Sequence, residues 1–218
     1  PREVAQKIVD GLDFNGSTLE AADVAGPGFI NLTLKLGALR LLVQNGPVKS
    51  LANQVVVAEY SDPNPFKVLH AGHLYTSVTG DAIANLLENA GATVHRVNFG
   101  GDVGLHVAKA LYGMVKKLGG ELPEKLTEVP ASGRSDWMAQ CYQEGNTAYD
   151  EDEAAKSEIT AINTRVYQFH SENDTLSSLA QIYWTCREWS YTYFNVFYKS
   201  IGSSFEKYYP ESETAPIG

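Results

Sequence analysis

The tetrapeptide His70-Ala71-Gly72-His73 is the group of residues best suited to chemistry in this 218-residue chain. Two imidazoles three positions apart at a helix start share a face, where they can donate hydrogen bonds to phosphate oxygens. Free helix N–H groups would add to this anion site, and Gly72 would let a ligand approach the backbone. A metal is a second possibility, but His95, Asp102 and His106 form no recognisable zinc spacing with the pair. Nucleotide binding is therefore predicted, with ordinary surface histidines as the alternative.

Polar residues near the tetrapeptide indicate how a second ligand is held. Glu59 follows a run of apolar residues, and a carboxylate at the carboxyl end of a buried strand can bind a guanidinium through two charge-assisted bonds. Its alternative is an edge glutamate that faces water. Asn64 is a turn residue or an anchor for the same ligand, and Lys67 is a phosphate contact or a solvated base. Asp102 either lines the same crevice or belongs to a turn and caps a helix.

A strand–helix–strand unit would bring these residues together. Residues 54–60 contain a continuous apolar run, which is typical of a parallel strand covered on both faces. Residues 74–90 repeat apolar side chains every four positions as far as Gly91, so they predict a helix. Residues 93–98 predict the next strand. The crossover should be right-handed, and both strand ends should line one crevice.

The remainder of this region predicts mostly helix. A helix should follow the glycine-rich loop over residues 105–118, and residues 119–135 are typical of a loop. Three more helices and a short strand are expected at residues 136–143, 150–170, 176–199 and 205–209. The aromatic stripe of the helix at 176–199 is typical of a hydrophobic core. Its alternative is a platform of rings for nucleotide bases.

The first 50 residues predict a smaller unit with the order helix, strand, strand, helix. These elements are expected at residues 2–12, 18–24, 29–34 and 37–43. We therefore expect a partial α+β module over residues 1–50. An α/β domain over residues 51–218 should follow it, with a mainly helical acidic segment at about residues 120–200.

The net charge of −9 is concentrated in one segment. Residues 121–174 carry 12 acids and 4 bases, and the rest of the chain is close to neutral. An acidic chain is not typical of a nucleic-acid-binding protein, but neutral regions leave an RNA partner open. No apolar run approaches the roughly 20 residues of a membrane helix. Cys141 and Cys186 form no CxxC pair, which indicates buried thiols in a reducing compartment.

Several motifs together resemble class I aminoacyl-tRNA synthetases, and more narrowly arginyl-tRNA synthetases of the bacterial type. The narrower resemblance rests on residues 59–64, read Glu-Tyr-Ser-Asp-Pro-Asn, on the six-residue step from Asn64 to His70, and on the glycine-rich loop Gly101-Asp102-Val103-Gly104. The HxGH tetrapeptide alone indicates only the wider class. Residues 24–31 resemble the end of that family's N-terminal tRNA-contacting domain.

The resemblance implies a partial Rossmann-like, parallel-sheet α/β fold with a helical insertion. It also implies a cytoplasmic ligase that activates L-arginine with ATP, brought as a substrate with Mg²⁺, and transfers it to tRNA(Arg). The implied catalytic residues are His70, His73 and Lys67. The implied ATP-binding residues are Pro63, His70, Ala71, Gly72 and His73. The implied arginine-binding residues are Glu59, Ser61, Asn64 and Asp102. No tightly bound metal and no membrane partner are expected.

Two residues depart from the family pattern: Val103 stands where tryptophan is usual, and Tyr75 where arginine is usual. No segment resembles the family's KMSKS loop or its anticodon-binding domain. We therefore expect a piece of a longer ligase with little activity of its own. The alternatives are a small HxGH nucleotidyltransferase and a non-catalytic RNA-binding paralogue.

Overall fold

The computed structural model describes residues 1–46 and 48–218, which form two compact units. One unit comprises Pro1–Asn53 with Asn89–Gly91, and the other comprises Gln54–Glu88 with Ala92–Gly218. The predicted division of the chain into domains at residue 50 stays a prediction.

The first unit has the predicted order of elements. These are α1 (Arg2–Asp10), β1 (Leu19–Ala25), β2 (Phe29–Leu34) and α2 (Leu36–Asn45). The two strands form an antiparallel hairpin in which Ala25 pairs with Phe29, and Gly26 turns the chain with a φ of 53°. A φ in this range costs glycine little because it has no side chain.

The second unit is built on a parallel sheet with the order β3-β4-β5. Its strands are β3 (Val55–Glu59), β4 (Thr93–Gly100) and β5 (Lys207–Pro210). The five helices are α3 (Ala71–Asn89), α4 (Leu105–Leu118), α5 (Arg134–Glu151), α6 (Glu153–Ser171) and α7 (Ser178–Ile201), with a one-turn α8 (Glu211–Thr214) after β5. The segment predicted as a loop contains two 3₁₀ turns, Pro123–Glu128 and Ala131–Gly133.

The prediction that β3 is covered on both faces is wrong for the described residues. Val55 and Val57 are 68% and 65% exposed, whereas the alternate residues Val56 and Ala58 are half-buried. Successive side chains of a strand point to opposite faces, so this unit covers one face of β3. An apolar run indicates that a strand tends to be buried. Whether both of its faces are buried depends on the elements that pack against it.

The apolar stripe of α3 is exposed in the same way. Leu74, Val78 and Leu86 are exposed, whereas Ser77 and Ala84 are fully buried. The helix therefore packs through its small residues, which the periodicity of the large residues does not reveal.

The main core lies among α4, α5, α6 and α7. Gly113 and Gly145 bring α4 and α5 together, since a Cβ atom at these positions would lie 2.0 Å from the Cys141 oxygen and 1.9 Å from the Lys109 oxygen. Cys141 and Cys186 are free, buried thiols within this core. The predicted core role of the aromatic stripe is confirmed for Phe194 and Tyr198, which are buried. Its other four rings are half-buried, namely those of Trp184, Trp189, Tyr193 and Phe197.

Candidate active site

The three parallel strands end at one edge of the sheet, and the predicted site residues follow them. Glu59 ends β3, Gly100 ends β4 opposite Pro210, and Pro210 ends β5. The carboxyl edge of a parallel sheet is where such folds bind ligands. Each loop that leaves this edge supplies at least one polar group.

The loop after β3 is held by hydrogen bonds from β4 and α7. The Asn98 amide donates to the Tyr60 carbonyl oxygen at 3.0 Å, and Asp62 Oδ1 accepts the Phe99 N–H at 2.9 Å. The Phe66 N–H donates to Ser190 Oγ of α7 at 2.9 Å. These contacts stabilise Asp62 and Phe66 at φ values of 49° and 67°, a region that side chains disfavour.

Tyr60 sets the approach of α3 to this loop. Its hydroxyl donates to Asp81 Oδ1 at 3.0 Å, and a Cβ atom at Gly80 would lie 2.3 Å from Tyr60 Cγ. Burial, followed by the bond to Asp81, raises the pKa of Tyr60 to about 12. The tyrosine therefore stays protonated and anchors the helix at neutral pH.

We call residues 70–73 the HAGH turn, which joins the loop to α3. The rings of His70 and His73 have centroids 4.0 Å apart. His70 Nδ1 accepts the Gly72 N–H at 3.1 Å, and His73 Nδ1 accepts the His70 N–H at 3.2 Å. Both Nδ1 atoms therefore act as acceptors, so each neutral ring carries its proton on Nε2 and can donate it to a ligand.

The expectation of free N–H groups at the start of α3 is partly wrong. His70 uses several of them itself, since its ring accepts from Gly72 and its carbonyl oxygen accepts from His73 and Leu74. Gly72 also serves the protein, because a Cβ atom there would lie 2.8 Å from His70 Cε1. The sequence interpretation did not predict this local packing, because it assumed that the N–H groups and Gly72 face a ligand.

The surroundings of His73 favour the neutral form of its ring. Burial lowers the pKa of His73, and the neighbouring His70 and Lys67 lower it further. The Lys67 ammonium lies 4.6 Å from the centre of the Tyr142 ring, which holds a cation by its π-face. A neutral donor and a nearby fixed cation together suit an anionic ligand.

A second cluster surrounds the peptide of Gly101. Asn64 Oδ1 accepts the Gly101 N–H at 2.9 Å, and His106 Nε2 donates to the Gly101 oxygen at 2.8 Å. Glu211 Oε2 would lie 3.1 Å from a Cβ atom at Gly101, so this glycine leaves room for the carboxylate. Within the described part of the chain, Asn64 Nδ2 and the Glu211 carboxylate make no protein hydrogen bond. They are available to a ligand.

Asp102 is fully buried and its carboxylate bonds to the protein. Its oxygens accept the Arg187 Nε–H at 2.9 Å, the Ser212 N–H at 2.9 Å and the Ser212 hydroxyl at 2.7 Å. The Tyr183 hydroxyl donates to the Asp102 carbonyl oxygen at 2.9 Å. We call these four residues the Asp102 junction, because they join the loop after β4 to α7 and α8.

Ser61 has a similar internal role. It is buried, and its hydroxyl lies 2.8 Å from both Tyr198 Oη and Ser77 Oγ. Glu59, by contrast, is exposed. The structure therefore brings Asn64 and the HAGH turn to one sheet edge with free polar atoms, and it uses Ser61 and Asp102 inside the fold.

Sequence reasoning missed three contributors to this edge. The sequence indicated His106 only as a possible metal ligand, and it assigned no role to Glu211. Arg187 was counted with an aromatic helix. The position after a glycine-rich loop could have signalled His106, and the position after β5 could have signalled Glu211. Arg187 lies in the middle of α7 and has no such signal.

In residues 1–46 and 48–218, no group of three or more His, Cys, Asp or Glu side chains is placed to hold a metal ion. No helix of these residues is long and apolar enough to cross a membrane.

Comparison with sequence families places this chain beside known proteins. Residues 38–212 match the family described as tRNA synthetases class I (R), catalytic domain, and residues 1–34 match the arginyl tRNA synthetase N terminal domain. The arginine–tRNA ligase of Picosynechococcus is 37% identical over 72% of this chain, and that of Amoebophilus asiaticus is 29% identical over 100%. The chain spans 27% and 39% of the lengths of these two relatives.

Two solved structures share the fold. The arginyl-tRNA synthetase of Plasmodium falciparum matches 99% of this chain with a TM-score of 0.55 at 22% identity, over 37% of that chain. The Thermus thermophilus arginyl-tRNA synthetase matches 97% with a TM-score of 0.54 at 21% identity, over 32% of that chain. The class I catalytic fold predicted from the sequence is therefore confirmed.

Proposed function

This chain belongs to the family of class I arginyl-tRNA synthetase catalytic domains, and from that premise we propose that it is part of an arginine–tRNA ligase. The ligase activates L-arginine with ATP and transfers it to tRNA(Arg) for protein synthesis. The observation that carries the proposal is the HAGH turn, whose two Nδ1 atoms are occupied so that both Nε2–H groups can donate to phosphate oxygens. The same donors could bind the phosphates of other nucleotides. The proposal that the amino acid substrate is arginine therefore rests on the family.

The ATP half of the proposed site comprises Pro63, Lys67 and the HAGH turn. An arginine carboxylate oxygen attacks the α-phosphorus of ATP, a P–O bond forms, and pyrophosphate leaves with its electron pair. Negative charge grows on the phosphate oxygens, where the Nε2–H groups of His70 and His73 stabilise it. Lys67 acts as a point charge, and Mg²⁺ arrives with ATP as part of the substrate.

The arginine half comprises Glu59 and Asn64, to which we add Glu211. Asn64 Nδ2 is free to donate, and the Glu211 carboxylate borders the Gly101 peptide that Asn64 already bonds. A carboxylate matches the guanidinium or ammonium group of the substrate. We assign Ser61 and Asp102 to positioning, since their polar atoms already bond to protein groups.

We place this activity in the cytoplasm, where aminoacyl-tRNA is used. Two free, buried cysteines agree with a reducing compartment. We expect residues 1–218 alone to show little aminoacylation, because the chain spans 27% to 39% of the two named relatives. Binding is therefore a better test than turnover.

The test is titration of the chain with ATP and Mg²⁺ while the ring signals of its histidines are followed by NMR. His70 and His73 should shift in a saturable way, whereas the half-buried His95, near the amino end of β4, should not. A His73→Asn variant should weaken this binding about tenfold, as expected for one lost charge-assisted bond. Addition of arginine should then shift the Asn64 side-chain amide.

Three outcomes would contradict the proposal. Equal shifts of His95 and His73 would show that ATP has no specific site at the turn. Pyrophosphate release with another small substrate, but not arginine, would favour a different nucleotidyltransferase. Binding of tRNA without any effect of ATP or arginine would favour a non-catalytic RNA-binding protein.

A further inference from the structure

A cavity of about 340 Å³ lies between the start of α5 and the middle of α7. We call it the α5–α7 cavity, and its polar and aromatic lining consists of Ser132, Arg134, Ser135, Trp189, Thr192 and Tyr193. The lining contains one cation and no carboxylate, although residues 121–174 carry 12 acids. None of these residues belongs to the site at the sheet edge.

Arg134 lacks an acidic partner within the described residues. Its guanidinium carbon lies 4.1 Å from the centre of the Trp189 ring, while its Nε atom is buried and without a hydrogen-bond partner there. It is also the first residue of α5, where the helix dipole disfavours a cation. An unpaired, partly desolvated cation costs stability, and a bound anion would remove that cost.

The other polar groups of the cavity can also donate. In the part of the chain that the structure describes, no protein hydrogen bond uses the side chains of Ser132, Ser135 and Thr192. The Trp189 N–H and the Tyr193 hydroxyl are likewise without a protein partner there. Six groups with donors and no carboxylate make the cavity selective for a negatively charged ligand.

The cavity also offers flat rings. Trp189 and Tyr193 are four residues apart on α7 and therefore lie on one face of the helix, with the exposed Val196 beside them. Aromatic faces of this kind stack the bases of single-stranded nucleic acids. A single guanidinium matches the single charge of a phosphodiester better than the several charges of a nucleoside triphosphate.

We propose that the α5–α7 cavity binds one nucleotide of a single-stranded RNA segment, with its phosphodiester on Arg134 and its base against Tyr193. The inference rests on the proposed function in one respect, namely that the RNA is the acceptor substrate. α7 connects the two sites, because Ser190 lies next to Trp189 and accepts the Phe66 N–H of the loop after β3.

Titration of the chain with a fluorescein-labelled single-stranded RNA hexanucleotide tests this site. Arg134→Gln should weaken binding about tenfold and reduce the slope of log affinity against log salt by about 0.7, the value for one phosphate contact to a single strand. Arg165→Gln is the matched control. It removes the same charge from the same acidic segment, but Arg165 pairs with Glu121, so affinity should stay within about twofold.

The ring contact has its own pair of variants. Tyr193→Ala should weaken binding about tenfold, whereas Tyr193→Phe keeps the ring and should bind within about twofold of the parent chain. Arg134→Lys keeps a charge at the phosphate and should recover part of the affinity lost in Arg134→Gln. Circular dichroism of each variant checks that the helices remain.

Four results would overturn the inference. These are absence of RNA binding at low salt, equal losses in the Arg134→Gln and Arg165→Gln variants, unchanged affinity in Tyr193→Ala, and ATP binding that depends on Arg134. The ATP-induced shifts of His70 and His73 report on the proposed function separately. If those shifts are absent while RNA still binds through Arg134, the proposed function fails and the cavity assignment stands.

Discussion

The HAGH turn and the Asp102 junction follow neighbouring parallel strands, but they use their polar groups in opposite ways. The Nδ1 atoms of the turn bond within three residues of the chain, and His70 is exposed. The Asp102 side chain is 0% exposed, and its partners Arg187 and Ser212 are 85 and 110 residues away in sequence. The turn leaves its Nε2–H groups free to donate, whereas the polar groups of the junction bond to one another.

This difference separates the residues that we propose as ligand contacts from residues that hold the fold together. Both features belong to motifs that resemble the same family, and the resemblance alone assigns both to substrates. The structure leaves the Nε2–H groups of the turn available and surrounds the Asp102 carboxylate with three protein donors. Stability measurements can test this distinction. Replacing a residue that holds the fold together should lower the free energy of unfolding much more than replacing a proposed ligand contact.

Loss of the Asp102 carboxylate should have the largest effect. Asp102→Ala would leave the Arg187 guanidinium partly buried without a carboxylate, and we expect a loss of about 3–5 kcal/mol in the free energy of unfolding. Urea denaturation measures this loss. In the HAGH turn, His73→Asn should lower the free energy of unfolding by less than about 1 kcal/mol. Equal losses in the Asp102→Ala and His73→Asn variants would refute the distinction. Replacing both partners, as in Asp102→Leu with Arg187→Met, should recover part of the loss.

A methyl group at Gly80 should have the next largest effect. It would lie 2.3 Å from Tyr60 Cγ and push α3 away from the loop that carries the HAGH turn. We expect Gly80→Ala to lose about 1–3 kcal/mol by overpacking, although alanine favours a helix by about 1 kcal/mol. Gly37→Ala in α2 is the matched control, since nothing lies within 4 Å of its Cβ position. A stable Gly80→Ala variant would show that α3 is loosely held.

Acidification should have the smallest effect. Burial lowers the pKa values of His73, His106 and His170, so the unfolded chain takes up protons near its ordinary histidine pKa while the folded chain does not. Stability therefore rises with pH and is lost as pH falls through that value. From pH 7.5 to pH 5.5 we expect the melting temperature to fall by roughly 2–4 °C, about 1 kcal/mol for this length.

The half-buried His106, beside Gly101, provides the check on this pH effect. His106→Gln keeps a side-chain donor for the Gly101 oxygen but removes the titrating group. Its melting temperature should depend less on pH than that of the parent chain. An unchanged dependence, or a rise on acidification, would contradict the assignment.

The sequence predicted the order of the elements well. Residues 105–118 form α4 with the predicted ends, and the strands and helix of the βαβ unit fall within a few residues of their expected positions. These elements have strong local signals, such as apolar periodicity and glycine at the ends. The predicted cover of β3 was wrong, since Val55 and Val57 are exposed and burial depends on distant neighbours.

By itself, the sequence determined the family and the strand–helix turn, and it indicated the two histidines for which we propose a phosphate contact, because these depend on residues close together in the chain. Only the tertiary structure decided which polar groups remain free. Asp102 bonds to Arg187, 85 positions away, and Ser61 bonds to Tyr198, 137 positions away, as well as to the nearby Ser77. Glu211 lies beside Gly101, from which it is separated by 110 positions in the chain. Hydrogen bonds depend on which groups lie close together in space. Spacing along the chain predicts them only within local motifs.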